Sequence, residues 1–124
     1  MTENDLGIRL ELGAPSPAGR KRFTLPITVS LPLSKLALLP EGEEYRGAIA
    51  LWIAASGEEG KTSRVDRQGH AIVVPAGKRD RVRAVAITSA VEVDEGACRV
   101  SVGVLDETSG QAGFAAAETR LGGS

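Results

Sequence analysis

The chain has 124 residues, 25% of them charged and 42% hydrophobic, values of a single globular domain that argue against bulk disorder. Fifteen Lys and Arg balance 16 Asp and Glu for a net charge of −1, which leaves no basic footprint for nucleic acid and no polybasic anchor for a membrane. One cysteine and one histidine exclude by count a His–Cys metal cluster, a Cys–Cys redox pair and a disulfide framework.

A domain of this length buries roughly two thirds of the surface its unfolded chain exposes, so it is expected to fold without a metal or disulfide staple. The start, Met1-Thr2-Glu3-Asn4-Asp5, is polar and acidic and does not read as a secretory signal. Residues 1–5 are expected to be a flexible N-terminus, 6–121 a single β-sandwich domain, and 122–124 a flexible C-terminus. The longest apolar stretch, Ala48 to Ala55, is eight residues. A membrane helix needs about 20, so no membrane insertion is expected. The single cysteine suits either redox compartment and leaves localisation open.

In chain order, Ile8, Leu10 and Leu12 alternate with Arg9 and Glu11. Pro15-Ser16-Pro17-Ala18-Gly19 then breaks the chain before its clearest signal. From Arg22 to Pro32, Phe23, Leu25, Ile27, Val29 and Leu31 take one face at strict spacing two, the mark of a half-buried strand. Pro26 cannot donate to a ladder, which predicts that this strand lies at a sheet edge or is bulged. Leu33, Leu36 and Leu39 have helical spacing between Pro32 and Pro40, and read as one short turn or an irregular crossing strand. The connection from Leu31 to Gly47 is long for a hairpin and suits a passage between sheets.

Ile49, Leu51 and Ile53 form the next alternating face, followed by the loop Gly57-Glu58-Glu59-Gly60. His70, Ile72 and Val74 follow the turn Asp66-Arg67-Gln68-Gly69. Val85, Ile87, Val91 and Val93 share a face with Ser89 between them. After Asp94-Glu95-Gly96, Cys98, Val100, Val102 and Val104 form another face. Asp106-Glu107-Thr108-Ser109-Gly110 links this segment to the Ala-rich Gly113 to Leu121. About seven strands with turn signals every 8 to 15 residues predict an all-β antiparallel sandwich.

The chemistry-bearing residues form no catalytic constellation. His70 has Ser63 and Asp66 near it in sequence, but no motif joins them into a nucleophile, base and orienting acid. Cys98 heads a valine face and reads as a small core hydrophobe. The acids Glu41, Glu43, Glu44, Glu58, Glu59, Asp94, Glu95, Asp106 and Glu107 fall in loops without calcium-loop spacing, and read as solvated turns. Lys78-Arg79-Asp80-Arg81-Val82-Arg83 is the one basic cluster and reads as a solvated loop and strand start. No cofactor, metal or enzymatic activity is expected.

Trp52 is the candidate binding residue. It shares its strand face with Ala48, Ala50 and Ala54, where a face turned only to water would hold Thr, Lys or Glu. Val82, Ala84, Ala86 and Ala90 likewise lie opposite Val85 and Ile87. Trp52, Ala48, Ala50, Ala84 and Ala86 are therefore expected to form one contact surface for another protein domain or a second copy of the chain.

Ile27-Thr28-Val29-Ser30-Leu31-Pro32-Leu33-Ser34-Lys35-Leu36-Ala37-Leu38-Leu39-Pro40, with Tyr45-Arg46-Gly47 before an apolar strand, forms one signature. Cys98-Arg99-Val100-Ser101-Val102-Gly103-Val104-Leu105-Asp106-Glu107-Thr108-Ser109-Gly110 before Gly113-Phe114-Ala115 forms another. Both resemble the C-terminal β-sandwich of bacterial von Willebrand factor A-related proteins, found especially in acidobacteria-like lineages, over about residues 6 to 121. The resemblance implies an immunoglobulin-like or fibronectin type III-like accessory domain, often in an exported protein, and brings no catalytic residues. The metal-ion-dependent adhesion motif of the A domain has no counterpart in these residues, so metal-dependent adhesion is not carried over. The expected function is a non-catalytic module for protein–protein or interdomain contacts. The alternative is a ligand-binding module that takes carbohydrate or peptide at its loops or a sheet edge.

Overall fold

Period-two alternation becomes strand throughout the chain. Its strongest instance, Arg22–Pro32, is an 11-residue strand whose Leu25, Ile27, Val29 and Leu31 are at most 1% exposed. The computed structural model describes residues 6–57, 66–78, 81 and 83–122. Residues 1–5 and, of the expected flexible end 122–124, residues 123–124 lie outside the described residues, as do Glu58, Glu59 and Gly60 of the loop, Ser63, and Arg79, Asp80 and Val82 of the basic cluster.

The strands are β1 (Arg9–Leu12), β2 (Ser16–Gly19), β3 (Arg22–Pro32), β4 (Leu39–Glu41), β5 (Glu44–Gly57), β6 (Asp66–Pro75), β7 (Ala84–Asp94), β8 (Gly96–Asp106) and β9 (Ala112–Leu121). Every expected alternating segment is a strand. Two short strands, β2 and β4, raise the number to nine among the described residues, where about seven were expected. β2 forms within the segment read as a break, because Ser16 and Pro17 come into register with Thr24 and Phe23.

All pairings are antiparallel and make two sheets. In the four-stranded sheet, β3 has β7 on one side and β1 and β2 in succession on the other. In the five-stranded sheet, β5 has β6 on one side, β4 and β8 in succession on the other, and β9 beyond β8. The inner faces meet in one core that includes Leu6, Leu25, Ile27, Val29, Leu51, Ile53, Ile87, Val100, Val102, Val104 and Leu121, with Phe23 and Val85 packed against it at partial exposure. Burying each Leu, Ile or Val contributes roughly 1.5–3 kcal/mol, so the core is the main source of stability.

Pro26 corrects an expectation. Its strand, β3, is central rather than an edge. An antiparallel residue points its N–H and C=O to the same side. The Pro26 carbonyl accepts the Gly13 N–H at 2.8 Å, so its missing N–H would also point to that flank. There β1 has ended at Leu12, opposite Ile27, and β2 begins only at Ser16, opposite Thr24. The gap between two short strands accommodates the proline, and no bulge is needed.

Asp106 corrects another. Read as a solvated turn acid, it is 1% exposed on the inner face of β8, opposite Ile49. Its Oδ2 accepts the Ala37 N–H at 2.7 Å, and its Oδ1 accepts the N–H groups of Thr108 at 2.9 Å and Ser109 at 3.3 Å. The first bond pins the segment that crosses between the sheets after the 3-10 turn Leu33–Lys35; the others shape the β8–β9 turn. The crossing segment also needs Gly47, because a Cβ there would lie 2.8 Å from both the Ala37 carbonyl oxygen and Leu38 Cδ2.

Asp106→Asn turns an NH₂ toward at least one backbone N–H and is expected to cost about 1–3 kcal/mol. Gly47→Ala is expected to cost a similar amount, about 1–3 kcal/mol, by displacing the crossing segment. The exposed control Asp94→Asn is expected to change stability by no more than about 0.5 kcal/mol. Urea denaturation followed by circular dichroism checks all three.

Candidate interaction surface

On β5 the odd residues Ile49, Leu51, Ile53 and Ala55 face the core, so Ala48, Ala50, Trp52 and Ala54 face outward. Strand register extends this outer row across the five-stranded sheet. Trp52 lies between Arg67 of β6 and Gly103 of β8, and Gly103 lies opposite Phe114 of β9. One row over, Ala50 lies between Gly69 and Leu105, and Leu105 lies opposite Ala112. On the other side, Ala54 meets Ser101, which meets Ala116.

Small residues hold this surface flat, and two aromatics rise from it. The Phe114 ring leans over Gly103, where an added Cβ would lie 3.2 Å from ring carbon Cε1. Phe114 remains 37% exposed, and Trp52 is half-buried. The Arg67 guanidinium sits 5.5 Å from the Trp52 ring centroid, in cation–π range. Arg67 Nη2 also lies 3.7 Å from Glu107 Oε1. The Glu107 N–H in turn donates to the Ala48 carbonyl at 2.9 Å. Arg99 and Glu118 pair at 3.0 Å and form a charged margin beyond Ala54 and Ala116.

The expected five-residue surface does not exist as one patch. Trp52 and Ala48 belong to it. Ala50 lies on the same face but is fully buried, covered by its own chain, and offers nothing to a partner. Ala84 and Ala86 are exposed but sit on β7 of the other sheet, opposite Pro32 and Ser30 of β3. Alternation assigns a residue to a face of its strand; it does not say which sheet the strand joins. Phe114, Leu105 and Arg67 were missed. The turn Asp106 to Gly110 was the available signal, because folding the chain there sets Gly103 against Phe114 and Leu105 against Ala112.

His70 and Cys98 lie away from this surface and make contacts within the chain. His70 is half-buried, its Nε2 3.1 Å from Gln68 Oε1, and Gln68 Nε2 donates to Ser89 Oγ at 3.1 Å. This polar pair of side chains bridges β6 to β7, one from each sheet. Cys98 is 4% exposed in the core, and burial pushes its thiol pKa up, away from the nucleophilic thiolate. Beside it, Ser56, Gly57, Ala97, Arg99, Glu118 and Thr119 line an open groove of about 400 Å³. Among the described residues no three of His, Cys, Asp and Glu group to hold a metal ion, and no helix is long and apolar enough to cross a membrane.

No family model and no curated protein matches the chain. Solved structures of similar fold include the following two. The Northeast Structural Genomics Consortium target SoR45 aligns over 96% of this chain and 88% of that one, at 16% identity and a TM-score of 0.53. A β-glucuronidase of Bacteroides uniformis aligns over 93% of this chain at 13% identity and a TM-score of 0.58, and this chain spans 13% of that enzyme's length. At such identities the likeness is one of fold.

Trp52 is the only tryptophan, so its emission reports this surface directly. Arg67→Ala is expected to shift that emission to longer wavelength and to raise its quenching by acrylamide, as the guanidinium cover is lost. Cys98 is expected to react with a thiol reagent far more slowly than a free peptide thiol at pH 8, and to match it once the chain is unfolded in urea.

Proposed function

We propose that this chain is a non-catalytic accessory module, an immunoglobulin-like or fibronectin type III-like β-sandwich that engages another protein domain, or a second copy of itself, through the outer face of its five-stranded sheet. One observation carries the reading. Trp52 and Phe114 stand partly exposed on a floor of alanines and glycines, and Arg67 lies over the indole. Tryptophan and arginine dominate interface energetics, and a flat floor of small residues lets a partner approach closely. Two further points support it. The segments quoted from Ile27 and from Cys98 resemble an accessory sandwich. A domain of similar fold also occupies a small part of a much longer chain in the β-glucuronidase.

Affinity capture with immobilised wild type, Trp52→Ala, Phe114→Ser and Lys35→Ser tests the reading. A partner held by the wild type and Lys35→Ser is expected to bind Trp52→Ala about 2 kcal/mol more weakly, roughly 30-fold, with the variant's circular dichroism unchanged. Equal binding by the folded Trp52→Ala and Phe114→Ser variants would refute the proposal.

A further inference from the structure

β7 pairs with β3 along its full length and, among the described residues, has no strand on its other side. The Arg83 carbonyl accepts the Leu33 N–H at 2.9 Å, so the odd-numbered residues of β7 bond toward β3. Ala84, Ala86, Thr88, Ala90, Glu92 and Asp94 therefore turn their N–H and C=O groups to the open side, and all six are exposed. Natural edge strands are blunted by proline, charge or a bulge. From Ala84 to Val91, β7 has none of these: its register with β3 is unbroken and the segment is uncharged and proline-free. β6, on the same flank of the sandwich, ends instead in Pro75, with Arg67 on its edge. Ser89 is fixed from inside by Gln68 at 3.1 Å, so the middle of β7 is tied to the opposite sheet while its edge stays open.

The charges around this edge select the occupant. Arg81 and Arg83 precede the neutral run; Glu92, Asp94 and Glu95 follow it, and all five are exposed. Arg22 reaches Glu92 at 3.6 Å and Asp94 at 3.3 Å from the β3 side. Arg81, Arg83 and Glu95 make no ion pair with another described residue. We infer that the β7 edge pairs antiparallel with the β7 edge of a second copy, joining two four-stranded sheets into one. A two-fold axis near Thr88 or Ser89 sets the basic end of each strand beside the acidic end of the other, at both ends of the pairing. A parallel pairing would oppose like charges. The outward alanines leave the new ladder unobstructed. The inference is independent of the Trp52 face, which belongs to the other sheet and stays open in such a dimer.

The test is sedimentation equilibrium of the chain over a wide concentration range at low and high salt. The wild type is expected to dimerise, more weakly at high salt. Thr88→Pro removes only an N–H that points to the open edge, and is expected to weaken the dimer about tenfold or more. The paired substitution Arg81→Glu with Arg83→Glu is expected to weaken it likewise. Adding Glu92→Arg and Glu95→Arg to that variant is expected to restore it, because the ends are again complementary. Amide exchange at Ala86, Thr88 and Ala90 is expected to slow as the dimer forms. A wild type that stays monomeric at millimolar concentration overturns the inference. So does a dimer that survives both charge reversal and a folded Thr88→Pro but is lost in Trp52→Ala, which would place the second copy on the other face. If Thr88→Pro unfolds, the charge reversal and its restoration decide: failure of the four-substitution variant to recover overturns the inference.

Discussion

The Asp106 carboxylate ties together three parts of the chain: the end of β8, the turn that follows it and the crossing segment. It sits at the inner end of β8, receives the N–H of Ala37 from the segment that leaves the four-stranded sheet, and receives two more N–H groups from the turn that begins β9. A carboxylate buried at this depth is costly unless its oxygens are satisfied, and here both are. The crossing segment can lie close because Gly47 has no side chain to hold it off. One acid and one glycine thus fix the crossing segment against the five-stranded sheet, with the hydrophobic core supplying most of the energy.

With the sheets so placed, their outer faces differ in kind. The four-stranded sheet shows Arg22, Thr24, Thr28 and Ser30 on β3 beside Ala84, Ala86, Thr88 and Ala90 on β7. The five-stranded sheet shows Trp52, Phe114 and Leu105 over small residues, with charges at its margins. Fold stability needs neither Trp52 nor Phe114 exposed in this way, and the two share a face because β5, β8 and β9 are adjacent. Arg67 covers part of the half-buried indole. The β7 edge raises a separate question of pairing, set by backbone groups and end charges rather than by apolar area.

Much of the fold was legible in the sequence. Strict spacing of two in segments such as Phe23 to Leu31 and Cys98 to Val104 leaves one face to be buried, and a strand is the local geometry that provides it. Gly and Pro clusters set many of the turns, and the long link after Leu31 announced a passage between sheets. The sequence also marked Trp52 as unusual, because an indole amid alanines on an outward face does not suit water alone. What period and punctuation could not convey was which strands become neighbours. The missing N–H of Pro26 argues for a sheet edge or a bulge. The two interrupted strands beside it accommodate the proline in a central strand, and that interruption is visible only once β1 and β2 are paired. Ala84 and Ala86 were grouped with Trp52 because each lies on the outer side of its strand, but β7 pairs with β3 and β5 does not. Asp106 looked like one more turn acid, because the N–H groups it receives include one 69 residues away. The local alternation of side chains determined the strands and their inner faces; pairing across long sequence separations decided the composition of the outer faces, because backbone hydrogen bonding between strands does not depend on the outward side chains that it brings together.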